Sequence, residues 1–545
     1  MSNNKTKTGL IIGAVFIAAI GGGYLLFRNW AKGTSLTPLE AAKLVPQDAM
    51  FAGYFTTNSE TWSKLDRFGT KEFEQLVLEP AKKQFAEASK ENAGTEGELS
   101  YEKDIQPWLG NIMLAALPSA NEEPDMLMVI GIKDKVEALK FVDKIKKEAE
   151  DSIQTIQYKG FTIIESTDES SDSFNIGIVD DLIVASPETE IVKKAIDTYQ
   201  GNSSFANKEG AKEILSKTSE SNDTLFQLYV PSYKELLKQS LQASGEDMAN
   251  FKAIEKQLGY VDSIVISVGI KETRGIAIET IAKLNPDSNI PKYQDLNNQV
   301  LGQIPGNSLL LITTGRLAQS WPWIVEQFGE DTDFKEALEE ARESVKLAAN
   351  LDLDKDIIGW MDGEIAISVL PSNTPPAPIS GAIVLTTSNR STAENTIAKL
   401  EELAESNGAP ISNKTVSGKE ITEYQNYPGG QVVFAYGWLD DKSLAISIAD
   451  TADRLISLKP ADSIAQNSDF QNSTKDFPKN NYGYFYLNFK EVNTLITNLS
   501  ASFGQPIPPE GKAVLDSIIS IVGVSTMPDS LTVKQELLFE LATNE

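Results

Sequence analysis

The chain has 545 residues, 41% of them hydrophobic, with 49 Lys and Arg against 77 Asp and Glu and a formal charge of -28. The apolar share is enough to build packed cores and excludes a disordered chain, while the acidic excess repels nucleic-acid phosphates and anionic lipid. Cysteine and histidine are both absent, which removes disulfides, thiol nucleophiles, Cys-ligated metal sites and Ser-His-Asp triads, and leaves any chemistry to Asp, Glu, Lys, Tyr, Ser or Thr.

Residues 1–8 form a short basic tail carrying Lys5 and Lys7. Gly9 to Phe27 follows without a charge, 19 residues that would span about 28 Å as a helix against a hydrocarbon core of about 30 Å. Tyr24, Arg28 and Trp30 at its far end are types that settle at a membrane interface. A cleaved signal peptide, apolar over Leu10 to Ile20 and cut near Gly21 to Gly23, is the rival reading. Leu25, Leu26 and Phe27 prolong the apolar run and no Ala-x-Ala follows, so a transmembrane helix over 9–27 is the expectation, with a juxtamembrane segment over 28–44.

The body then repeats itself. Lys43-Leu44-Val45-Pro46 opens a strand-like stretch to Thr57, followed by Trp62 and Phe68-Gly69. Gln303-Ile304-Pro305, Trp321 and Phe328-Gly329 return in the same order, 259 or 260 residues later. Lys103-Asp104-Ile105 with Trp108 matches Lys355-Asp356-Ile357 with Trp360, and Leu117-Pro118-Ser119 matches Leu370-Pro371-Ser372, at offsets of 252 and 253. The polar stretch Asn92 to Leu99 accounts for the shift as an inserted loop. Asp180-Asp181 pairs with Asp440-Asp441, and Tyr233-Lys234-Glu235 with Phe489-Lys490-Glu491. Two copies are therefore expected over 45–284 and 304–545, joined by a linker over 285–303 rich in Pro, Asn and Ser.

Within a copy, the region from 154 to 186 reads as consecutive strands joined by short turns. Val136, Leu139, Val142 and Ile145 form one helical stripe, and Ile264 to Ile270 alternates into a hairpin with Ile276 and Ile278. In copy two, Phe334, Leu338, Ala341, Val345 and Ala348 line a helix, and Ile397, Leu400 and Leu403 line another behind a Ser391-x-x-Glu394 capping box. The expected fold class is α+β: two tandem homologous copies, each a mainly antiparallel sheet with packed helices, preceded by one transmembrane helix.

Chemical signatures are weak. Asp352-x-Asp354-x-Asp356 opens like a calcium loop, but Ile357 stands where Gly is required and Gly363 where the bidentate Glu should be. Gly418-Lys419 and Gly511-Lys512 lack the rest of a phosphate loop, and Ser100-x-x-Lys103 lacks the companions of a Ser-Lys enzyme. The Asp180-Asp181 and Asp440-Asp441 pairs read as hairpin turns. No catalytic, cofactor-binding or metal-ligating residue is assigned, and no cofactor.

The membrane helix followed by Leu44-Val45-Pro46-x-x-Ala49 and a second Ile304-Pro305-x-x-Ser308 copy resembles an uncharacterised family of cyanobacterial membrane-anchored proteins, domain of unknown function 3352. The resemblance implies a plasma or thylakoid membrane, with the body in the periplasm or lumen, and carries no catalytic residue with it. The expected role is a membrane-tethered binding or scaffolding protein, held through residues 9–27 and engaging a protein partner, not nucleic acid. A carboxylate-based envelope hydrolase and a lipid or pigment carrier are the alternatives, the first needing two carboxyls about 5–10 Å apart and the second an apolar cavity of about 300–1,000 Å³.

Overall fold

The computed structural model describes residues 36–78, 101–119, 124–148, 152–167, 175–218, 223–232, 259–286, 290, 294–329, 331–372, 378–425, 432–448 and 451–544. Two compact units emerge: Met1–Phe251, Leu258–Asn285 and Ala542–Glu545 in unit one, and Lys252–Gln257 and Pro286–Leu541 in unit two.

Unit one starts on a one-turn helix, Pro38–Ala42, set by a capping box in which Thr37 and Glu40 satisfy each other's backbone N–H and by Pro38 in its first turn. Its strands are β1 (Phe51–Phe55), β2 (Leu109–Leu117), β3 (Asp125–Ile132), β4 (Ile153–Tyr158), β5 (Phe161–Ser166), β6 (Asn175–Val179), β7 (Leu182–Ser186), β8 (Thr224–Val230), β9 (Val261–Lys271) and β10 (Gly275–Leu284). All pair antiparallel, in the spatial order β4-β5-β6-β7-β3-β2-β1-β8-β9-β10. Period-2 alternation turns Ala52, Met113, Ala115, Val129, Ile163 and Val184 to one face. There they bury against Val192, Ala195 and Ile196 of the helix Thr189–Tyr199 and against Phe205, Ile214 and Leu215.

Unit two contributes β11 (Leu310–Gly315), β12 (Glu364–Pro371), β13 (Ile379–Thr386), β14 (Ile411–Val416), β15 (Lys419–Gln425), β16 (Val432–Trp438), β17 (Ser443–Ile448), β18 (Tyr484–Asn488), β19 (Ile518–Asp529) and β20 (Thr532–Leu541). Their order, β14-β15-β16-β17-β13-β12-β11-β18-β19-β20, is that of unit one. Trp360, Ile365, Leu385, Ala393 and Leu444 form one of its core clusters.

Within each unit the ten strands pair only antiparallel, and periodicity identifies a strand and its buried face but carries nothing about the order in which strands pair. The expected fold class needs correction at the transmembrane helix. No helix among the described residues is long and apolar enough to cross a membrane, and the longest, Thr332–Ala349, is thick with Asp, Glu, Lys and Arg. Residues 9–27 lie outside the described residues, as do the Asn92 to Leu99 loop, Ser100 and Tyr233 to Glu235.

Helix faces also shift. In Lys135–Glu148, Ala138 and Val142 are buried and Phe141 stacks on Trp108 at 4.9 Å, whereas Val136 and Leu139 are exposed. The capping residue of Arg390–Ser406 is Asn389, which accepts the Thr392 N–H at 3.2 Å, so Ser391 sits inside the helix. Of the stripe on Thr332–Ala349 only Leu338 is fully buried. Part of the stretch expected as a linker is packed, since Leu296, Val300 and Leu301 are buried.

Candidate functional site

The most closed of the described pockets lies in unit two, where β11 ends. Gly315 is dictated by space: a Cβ there would stand 2.7 Å from Leu296 Cδ2 and 3.1 Å from the Gly363 carbonyl. The next residue, Arg316, has a left-handed backbone (φ 58°) that non-glycine residues adopt at a cost of order 1 kcal/mol. It is held there because its N–H donates to the Gly363 carbonyl at 2.7 Å while its own carbonyl accepts from the N–H of Gln319 at 2.9 Å and of Ser320 at 3.2 Å. That turn starts the helix Leu317–Phe328.

Beside it is a cavity of about 310 Å³. Leu296, Trp323, Met527 and Val533 supply apolar walls, and Gln319, Ser320, Tyr482, Ser525, Gln535 and the Arg316 guanidinium supply polar ones. No carboxylate among the described residues lines it. Arg316 Nη1 is shut off from solvent and has no hydrogen-bond partner among the described residues. A buried guanidinium nitrogen normally pairs, because removing it from water without compensation costs kilocalories. In a chain with 28 more acids than bases a partner would be easy to supply. Burial pushes the Tyr482 hydroxyl up from its usual pKa, and the charge of Asp295 adds to the effect. The hydroxyl therefore stays protonated and able to donate.

The same sheet face continues away from the cavity. Residues directly opposite in an antiparallel pair share a face, and Ile312 lies opposite both Ile367 and Phe485. These three are 37%, 41% and 37% exposed. Thr314, which lines the cavity, is two residues along β11 from Ile312 and on the same face.

Two shallower clefts occupy equivalent places in the units. Pro46, Gln47, Asp48, Lys194 and Ser203 line one of about 460 Å³, and Pro305, Gly306, Asn307, Arg454 and Asp462 one of about 560 Å³. Their cations are already held. Lys194 pairs with Asp48 at 2.6 Å, and Arg454 donates to Asn307 at 2.9 Å and to the Pro371 carbonyl at 2.8 Å. The Leu-Val-Pro and Ile-Pro motifs sit here as latches. Pro46 bridges Ser204 and Pro305 bridges Ser463, while Phe205 N–H donates to Val45 and Ile464 N–H to Ile304, each at 2.8 Å.

The carboxylates singled out in the sequence are occupied with structure. Asp352 caps a turn by accepting the Asp354 and Lys355 N–H groups, Asp354 is gripped by Arg342 and by Trp321 Nε1, and Asp356 accepts the Asp352 N–H. Burial pushes Asp354 up, but the hydrogen bonds from Arg342 and Trp321, with the charge of Arg342, outweigh it and hold the carboxyl below the usual range. No cluster suited to a metal occurs among the described residues. Asp180 (φ 52°) and Asp181 form the β6–β7 turn, where Asp181 pairs with Lys135, and Asp440 and Asp441 form the β16–β17 turn. Gly418 (φ 77°) makes a hairpin turn, and Gly511-Lys512 lies in the helix Pro509–Asp516.

Arg316 itself escaped sequence reading, since a lone arginine after Thr-Thr-Gly belongs to no motif. The repeat held the one usable signal: the offset of 259 that aligns Trp62 with Trp321 sets Arg316 against the neutral Thr57.

A family model described as "Protein of unknown function (DUF3352)" matches residues 10–541. No curated protein matches the chain.

Proposed function

We propose, from the premise that the chain belongs to the DUF3352 family, that it is a binding protein whose second unit takes up a small organic anion. The carrying observation is the Arg316 Nη1, buried and, among the described residues, unpartnered at a cavity that none of their carboxylates lines. Guanidinium pairs bidentately with carboxylate or phosphate, and the cavity volume is at the lower end of small-ligand sites, which span about 300–1,000 Å³. The left-handed backbone of Arg316 supports the same reading, because strain of this kind concentrates where a group must be held in place. Binding is the part of a binding-or-scaffolding role that the geometry favours. The hydrolase alternative gains nothing from the three described pockets, none of which is lined by two carboxylates.

Calorimetric titration of the full-length protein with benzoate and phenyl phosphate tests the proposal. At least one should bind, and Arg316→Gln should weaken it by about 10- to 100-fold, the range for hydrogen bonds to a charged group. Binding of neither, or equal affinity in R316Q, would overturn it.

A further inference from the structure

We infer that the anion is the head of a single-chain amphiphile, with its carboxylate at Arg316 and its acyl chain laid along the apolar row Phe485, Ile312 and Ile367. The inference rests on the reading of the Arg316 cavity as an anion site and adds the second half of the ligand. Three observations carry it. The row and the cavity share one sheet face, about 7 Å apart along the strand for a two-residue step, since Thr314 and Ile312 alternate together on β11. Phe485 lies opposite Gly523 on β19, where Leu537 Cδ1 stands 3.0 Å from the place a Cβ would take, and Ser525, two residues on, lines the cavity, so the apolar face continues to the cavity at that strand. All three row residues are more than a third exposed, although their neighbours in register, Ile383 and Ile446, pack against the core cluster of Trp360, Ile365 and Leu385.

Exposed apolar rows on a folded protein mark a surface that something covers. Here the row ends at a guanidinium with one buried nitrogen in a chain of net charge -28, and the complement is an apolar body with one negative end. The row crosses three strands, about 10 Å at about 4.8 Å per strand, a reach suited to a medium-length chain.

Titration of the full-length protein with butanoate, octanoate and dodecanoate below their micelle concentrations, together with dodecanol, tests this. Affinity should rise roughly two- to fourfold per added methylene, with dodecanoate binding far more tightly than dodecanol. Ile312→Thr combined with Ile367→Thr keeps β-branched residues in the strands, should retain butanoate affinity and should flatten the gain with chain length. R316Q should lose the preference for dodecanoate over dodecanol. Butanoate binding without any chain-length gain would overturn the inference and leave the anion reading standing. Equal binding of dodecanol would overturn the head-group assignment, and binding of none of the acids would overturn both. Unfolding curves superimposable on wild type would confirm that the variants report binding.

Discussion

Units one and two keep the same strand order and the same backbone latches, yet differ at the end of the strand that leads into the cavity. In unit one, β1 presents Gly53, where a Cβ would stand 3.4 Å from Phe226, and the Phe55 and Phe226 rings pack with centroids 4.7 Å apart. Its counterpart in unit two at the same offset is the exposed Ile312. Thr57 is 4% exposed and its N–H donates to Asn111 Oδ1 at 2.9 Å, where unit two has the strained Arg316. Lys64 pairs with Asp223, where unit two has Trp323 on the cavity wall. Unit one closes this corner with local contacts, and unit two leaves a cavity lined by an unpaired cation nitrogen. The strand order that the two units share thus tolerates a change of side-chain purpose at one corner, because the contacts that define the fold run through main-chain groups elsewhere.

Six substitutions, in four comparisons, would break or sharpen this contrast. The largest difference is expected at the paired tryptophans. Trp62 is 1% exposed and its Nε1 donates to the Thr56 carbonyl at 2.8 Å, so Trp62→Ala should cost about 3–5 kcal/mol in denaturant unfolding. Trp321 is half-buried, and Trp321→Ala should cost roughly half as much. Equal losses would mean that the two corners are packed alike.

Next come Asn111 and its counterpart Glu364, both buried. Asn111 accepts from Thr57 N–H and donates to the Leu36 carbonyl at 3.1 Å and Tyr54 at 2.7 Å. Asn111→Ala strands several buried polar groups and should cost about 2–3 kcal/mol, whereas Glu364→Gln keeps an acceptor for the Val300 N–H and should cost under about 1 kcal/mol.

A smaller effect of opposite sign is expected at the site itself. Arg316→Gln removes a buried nitrogen that has no partner, so the ligand-free protein should melt at the same temperature or gain up to about 1 kcal/mol. A clear loss of stability would show that the guanidinium is held by the fold rather than kept for a ligand.

The smallest effect concerns pH. The folded pKa of Asp354 is depressed, so its contribution to stability is present above the unfolded carboxylate value, about 3.9, and is lost as pH falls through the folded value. Asp354→Asn should lower the melting temperature slightly at pH 7, and the difference from wild type should shrink to nothing in strong acid. A difference that persists there would assign the effect to packing instead.

Local rules carried a good part of the fold. Alternation over Ile264 to Ile270 and over Ile276 to Ile278 reads directly as the β9–β10 hairpin, and the acidic pairs at 180–181 and 440–441 read as turns because Asp tolerates the left-handed backbone that Asp180 adopts. Val136 and Leu139 misled because a helical stripe reports which residues are apolar and not where the sheet beneath the helix ends. Of the expected stripe Val142 does dock, together with Ala138 on the adjoining face. Arg316 was illegible for a different reason. Its significance is a missing partner, and the absence of a partner is a fact about space.

What the amino-acid order determined by itself were properties set within a few residues or by repetition along the chain: the strands and turns, the acidic surface, the missing Cys and His chemistry, and the recurrence of Trp62, Trp108 and the Pro46 motif as Trp321, Trp360 and the Pro305 motif. Only the tertiary structure decided the order in which the strands pair within each unit, that Asp354 serves Arg342 and Trp321 rather than a cation, and that Arg316 Nη1 lies buried without a partner among the described residues. The physical reason is that periodicity and turn chemistry are short-range, whereas sheet membership, burial and hydrogen-bond pairing depend on which distant segments share the same few ångströms.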